Sequence, residues 1–224
     1  RDFKIKIGEV KCDILPVSTK ILYQHILEEK YKDIKPAGER KWEEIFNINE
    51  DEWKQIYKMP FYVTRETKLQ SMQYKIIHQF FPCRRWLFIH KVTDTEECEY
   101  CDRTDTVIHY FFTCPRNNIF WQSFVNWWAK MNDMNTEWTL TKQDAMMGIW
   151  KTEKCDQSKI VMINYCLLLA KWIIHRCKVR NKEPTMYEFL CELRMRLNVE
   201  KHICYCNGES RKFRNRFQLL DESV

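Results

Sequence analysis

Apolar positions along this chain recur mostly at three- and four-residue intervals, the period of a helix packed on one side. Residues 18–31, STKILYQHILEEKY, carry that period, with Ser18 or Thr19 placed to cap the first turn. Lys35-Pro36-Ala37-Gly38 interrupts it, and a second helix is expected near Glu39. The run DEWKQIYKMP reads as a helix that stops at Pro60. In TRETKLQSMQYKIIHQFFP, Leu69, Met72, Ile76 and Phe80 fall at i, i+3, i+7 and i+11, one stripe of a helix that Pro82 ends. A loop-like segment follows. Pro115 then suits the first turn of PRNNIFWQSFVNWWAKM, where Phe120, Phe124 and Trp127 or Trp128 line one face. Residues 131–157 read as a polar connection holding a short helix near 143–150. Ile163, Leu167, Ala170, Ile174 and Cys177 mark the buried stripe of a long helix, and Thr185 with Glu188 predicts a capping box opening TMYEFLCELRMRLNVEKH. The expected fold class is mainly α.

Composition agrees. Nine Trp, thirteen Phe and ten Tyr supply a core for 224 residues, while four Gly and six Pro are too few for a turn-dense β fold. No repeat or low-complexity stretch is present. The longest apolar run, IVMINYCLLLAKWII, is interrupted by Asn164 and Lys171 and reads as a buried helix rather than a membrane span. The chain opens at RDFKIKIGEV without an initiator Met and reads as a piece of a longer protein. Eleven Cys, an odd number with no signal peptide in view, point to a reducing compartment, nucleus and/or cytoplasm. Residues 1–60 balance their charges, and 135–224, with sixteen basic and eleven acidic residues, carry most of the net +6. A basic C-terminal third permits binding to a polyanion without establishing it.

The cysteines carry the chemistry. Cys98-x2-Cys101-x7-His109-x4-Cys114 offers two thiolates that chelate from a tight turn and a His/Cys pair that does so from a helical lead-in. Three thiolates and one imidazole suit a tetrahedral zinc ion, and four protein ligands leave it no open position, so the ion is expected to be structural. The dication and three thiolates leave a net negative charge, which repels phosphate. Contact with a nucleic acid would have to come from Arg84, Arg85, Lys91, Arg103 and Arg116 around the site. Cys204-x-Cys206 with His202 lacks a fourth ligand in sequence. Cys166 and Cys177 read as buried small hydrophobes.

The run from Thr67 to Tyr74, then Pro82, then the Cys/Cys/His/Cys array with Trp121 behind it, resembles the zinc-binding domain at the C-terminal end of non-LTR (LINE-type) retrotransposon reverse transcriptases. LLLAKWIIHRCKVRNKEPTMYEFLCEL is similar to the helical tail that follows this module in many animal elements. The resemblance covers residues from about 55 to 205. Many relatives place Gly after the second Cys, where Asp102 stands here. The resemblance implies a helical segment at 1–60 linking to the upstream polymerase, a zinc-binding module at 61–130 and a basic helical region at 131–224. It also implies partners: RNA and/or DNA, and the upstream polymerase and endonuclease of the same polyprotein.

The chain itself shows no paired-Asp polymerase motif, nuclease cluster or Gly-rich phosphate loop, so the fragment is expected to be an accessory domain without catalysis, taking neither a small-molecule substrate nor a membrane. On the long helix Lys171, His175, Lys178 and Lys182 form one stripe, with Arg176 and Arg180 beside it. That stripe is either a solvated face or a phosphate-binding face. Arg84-Arg85-Trp86 offers a second contact, with Trp86 stacking on a base or packing the core. Tyr110, Phe111 and Phe112 leave the same two options. The expected role is a zinc-stabilised nucleic-acid-binding domain that positions template RNA or target DNA in target-primed reverse transcription. Two alternatives stand: a docking module whose Trp121, Trp127 and Trp128 pack on the polymerase or another protein, and a defective element copy.

Overall fold

The computed structural model describes residues 4–7, 10–13, 18–31, 34–132, 138–150 and 157–223. It opens on an antiparallel hairpin, β1 (Lys4–Ile7) and β2 (Val10–Asp13), with Lys4 opposite Asp13 and Ile7 opposite Val10. The other regular elements among the described residues are helices. The first helix, α1 (Thr19–Tyr31), leaves Ile21, Tyr23 and Ile26 exposed.

The core begins at α2 (Ala37–Glu43), whose wholly buried Trp42 donates its indole N–H to the carbonyls of Ile76 and Ile77 at 3.3 and 3.0 Å. Next, α3 (Glu50–Val63) starts at a capping box: Asn49 Oδ1 accepts from the Glu52 amide at 3.0 Å, and Glu52 Oε2 accepts from the Asn49 amide at 2.8 Å. It runs three residues past Pro60, where the sequence predicts its end. A proline this near a C-terminus removes one ladder bond, and burial of Met59, Pro60 and Val63 offsets that loss. In α4 (Thr67–Ile77) Leu69, Met72 and Ile76 are buried as expected. Phe80 departs from their stripe and is exposed. The helix has already ended, and Gln79 turns the chain in the left-handed region at φ 59°.

After the short α5 (Arg84–Ile89) and the Cys/His segment come α6 (Asn118–Met131) and α7 (Lys142–Met147). Phe120, Phe124 and Trp128 are buried on α6, and Trp127 is half-buried against Phe189. The axis of the molecule is α8 (Gln157–Val179), wrapped by α3, α4, α9 (Met186–Cys206) and α10 (Ser210–Ser223). Every residue from Val161 to Lys171 is buried, the signature of a helix surrounded on all sides. By length and composition Ser158–Val179 could cross a membrane, yet most of it is enclosed by the other helices. Asn164 is satisfied there by both backbone polar groups of Ile149, at 2.8 and 2.7 Å.

Only half of the expected Thr185 capping box forms. Thr185 accepts from the Glu188 amide at 3.2 Å, while the Glu188 carboxylate accepts from the Cys177 thiol at 3.1 Å. The closing helix α10, not foreseen from sequence, buries Phe213, Phe217 and Leu220. One continuous buried cluster from Trp42 to Leu220 draws on all three segments proposed from sequence, and α3 runs through the 60/61 boundary.

Candidate metal centre

Backbone geometry assembles the four ligands. Residues 97–104 form a knuckle closed by a bridge between Glu97 and Thr104 and by the Cys98 amide donating to the Arg103 carbonyl at 2.7 Å. The Cys98 carbonyl accepts from the Cys101 and Asp102 amides, and Asp102 reverses the chain in the left-handed region at φ 52°. That is the backbone a glycine adopts freely, and Asp tolerates it better than most residues. The other pair stands five positions apart. On an α-helix such residues point about 140° away from each other. Residues His109–Thr113 instead form a π-helix, closed by the Cys114 amide on the His109 carbonyl at 3.0 Å, and the wider turn carries Cys114 round toward His109.

The ligand atoms of Cys98, Cys101, His109 and Cys114 all lie within 4.8 Å of one another. Cys98 Sγ is 3.9 Å from Cys114 Sγ, and Cys101 Sγ is 3.3 Å from His109 Nε2. These are close to the edges of a tetrahedron with bonds of about 2.0–2.3 Å, so the cluster fits a metal ion. Backbone amides of Tyr100 and Arg116 donate to the Cys98 and Cys114 sulfurs, groups that stabilise thiolates. Burial works the other way in the protein alone, pushing the Cys98 thiol up to about 12, raising Cys114 and lowering His109. A bound dication reverses the preference of the thiols.

The knuckle is riveted to the end of α8. Asp105, wholly buried, accepts from Lys178 Nζ at 2.9 Å and from the Arg84 amide at 3.1 Å. The Lys178 ammonium also sits 3.9 Å from the Tyr110 ring centre, and the Tyr110 hydroxyl meets His175 Nδ1 at 2.9 Å. Asn181 Oδ1 accepts from the Tyr100 hydroxyl at 3.2 Å and from Arg116 at 3.3 Å, and the Arg116 guanidinium lies over the Tyr100 ring. Asp105, Tyr100 and Asn181 went unmarked in the sequence because no spacing rule connects residues 65 to 81 positions apart.

On α8 the predicted basic stripe therefore does not face solvent; its last member, Lys182, lies beyond the end of the helix and is exposed. Lys171 is wholly enclosed, donating to Gln73 Oε1 at 2.6 Å and to the Met146 carbonyl at 3.3 Å, and burial without a carboxylate pulls its ammonium down to about 7. His175 is half-buried against Phe81 and Tyr110, Lys178 is spent on Asp105, and Arg176 on Glu192 at 2.8 Å. The spacing is that of a helix face, but α8 is wrapped, so this face points into the protein. Around the knuckle, Arg84 pairs with Glu99, Arg85 lies 3.8 Å from Glu96, and Arg116 is held by Tyr100 and Asn181. Half-buried Trp86 stacks on His90 at 3.9 Å. Tyr110 and Phe111 are buried with Phe81, and Phe112 leans on Trp121. Lys91, Arg103, Arg180 and Lys182 are exposed and make no ion pair among the described residues. At the other end of α9, Cys206 Sγ lies 3.6 Å from His202 Nε2, and Cys204 is buried. Compared with known proteins, the chain matches no family model and no curated sequence.

Proposed function

We propose that this chain is a non-catalytic nucleic-acid-binding module of a LINE-type reverse transcriptase, stabilised by one structural zinc ion. In this reading it holds template RNA or target DNA beside the upstream polymerase and endonuclease during target-primed reverse transcription. The observation that carries it is the placing of free cations where the knuckle meets α8. Arg103 stands in the metal-binding turn, and Arg180 and Lys182 flank Asn181, which bonds directly to Tyr100 of the same turn. Three thiolates and one imidazole favour zinc among the common divalent ions, and the ion serves to fix this backbone rather than to react.

A salt titration tests the reading. The zinc-loaded chain should bind duplex DNA or single-stranded RNA with an affinity that falls steeply as salt rises. Replacing Arg180 and Lys182 with Ala should flatten the slope on duplex DNA by about 1.8, the loss of two phosphate contacts. An unchanged slope in a folded variant removes these residues from the interface, and absence of binding at low salt defeats the reading. A docking role would then take precedence. It would not use Trp121 and Trp128, which are enclosed in the chain's own core, but the exposed Phe88, Ile89 and Val92 beside the knuckle.

A further inference from the structure

At the C-terminal end of α4 four rings gather at the surface. His78 lies 4.2 Å from Tyr74, 5.8 Å from Phe80 and 5.7 Å from Tyr57 between ring centres, and Tyr74 meets Phe80 edge-on at 5.7 Å. Tyr74 is 48% exposed and Phe80 37%, so two of the four present open ring surface. The cluster is built rather than incidental. Gln79 holds the left-handed turn, the Phe80 amide donates back to the Lys75 carbonyl at 3.1 Å, and Phe80 is thereby folded over Tyr74. From beneath, Trp42 pins the carbonyls of Ile76 and Ile77, and Gly38 approaches so closely that an added Cβ would lie 2.7 Å from the His78 Cα. Tyr57 is fixed by its hydroxyl donating to Glu39 at 2.7 Å.

Charge of both signs lies near the rings: Glu39 holds Tyr57, and Glu44 lines a cleft of about 410 Å³ together with Lys41, Gln79, Trp86 and His90. Lys75 follows Tyr74 in the chain. Lys41 and Lys75 are exposed and make no ion pair among the described residues. Rigid open rings with unpaired cations alongside suit unstacked nucleobases with their phosphates.

We infer that Tyr74 and Phe80, braced by His78, form a base-stacking platform for single-stranded nucleic acid, separate from the phosphate contacts at Arg103, Arg180 and Lys182. This rests on the proposed nucleic-acid-binding role and adds a chemical preference to it, for unpaired over paired strands. The test pairs labelled oligothymidylate with a strand of the same length built of abasic sites, each titrated with the full metal-loaded chain. Tyr74→Ala with Phe80→Ala should weaken oligothymidylate binding about tenfold without altering the salt slope, and should leave the abasic strand unaffected. Tyr74→Leu with Phe80→Leu, which keeps apolar area and removes the rings, should show the same loss. Equal losses on both strands, or none on either, overturn the platform while leaving the phosphate-binding reading standing. If the unaltered chain binds neither strand, the platform falls, and the phosphate-binding reading is decided by the titrations on duplex DNA and single-stranded RNA.

Discussion

Lys171 is the residue at which sequence and structure part most sharply. A cation at helical spacing from three others looks solvated, yet it lies at the centre of the core with only neutral oxygens for partners. Its folded value of about 7 against 10.5 when free fixes the sign of a pH effect. Across that window the unfolded chain holds a proton that the folded chain has shed, so stability rises with pH. The rise is at most roughly 1.4 kcal/mol for each unit between the two values. Lys171→Met should be more stable than the parent at neutral pH and should lose this part of the pH dependence, read by urea unfolding at a series of pH values between these limits. A parent whose stability is flat over the window would show Lys171 to be stabilised as a cation. Asp102 makes a smaller prediction at the same scale. Asp102→Gly should keep the metal and shift stability by less than about 1 kcal/mol, because relief of the left-handed backbone and added chain entropy nearly cancel. Asp102→Val, which resists that backbone, should cost about 1–2 kcal/mol; metal-loaded melting curves separate the two.

Elements, not single residues, join the metal site to the fold. Through Lys178 and Asp105, His175 and Tyr110, and Asn181 with Tyr100, the last turns of α8 are part of the knuckle's support. Removing the metal with a chelator should therefore speed amide exchange around 176–182 while residues 161–171 stay protected; equal protection with and without metal would show the two to be uncoupled. Asp105→Asn leaves Lys178 facing a neutral group in a place only 14% open to water, and it should cost about 3 kcal/mol in denaturant unfolding of the metal-loaded protein. This coupling explains what the sequence could and could not say. The stripe at Leu69, Met72 and Ile76 was legible because α4 has one wet side and one dry side. On α8 the stripe from Ile163 to Cys177 is buried as expected, but the other faces are covered too, so a stripe on one side did not show that Lys171, His175 and Lys178 face inward. The cluster of Cys98, Cys101, His109 and Cys114 was legible from spacing alone, since residues that could share one ion lie close in sequence. The π-turn that makes the His109–Cys114 spacing work was not, because nothing in HYFFT departs from ordinary helical composition. The helix over Ser210–Ser223 was missed although Phe213, Phe217 and Leu220 keep i, i+4, i+7 spacing; their face is narrow and its flanks are crowded with charge.

At the scale of the whole molecule, a single buried cluster joins the segment beside the Cys/His knuckle to α2–α4 and α6–α10. Replacing Cys98 and Cys101 with Ser should remove the metal, one equivalent by native mass spectrometry, and loosen the knuckle while leaving the distant packing of α3, α9 and α10 on α8 in place. Unchanged metal content would overturn the ligand assignment. The wrapping of α8 also has a consequence in time. A chain is made from its N-terminus, and α3 and α4 exist before α8 emerges, but α9 and α10 do not. Until Phe217 reaches Tyr165, at 5.4 Å in the finished fold, one flank of the long, buried α8 is bare, and the ribosome must still add the residues up to Leu220 to close it. Ending the chain before Ser210 should turn that passing exposure into a permanent one, seen as loss of soluble protein with metal binding at the knuckle retained in what remains. Helix α10 is thus the lid of the core, and synthesis reaches it only after the helix it covers.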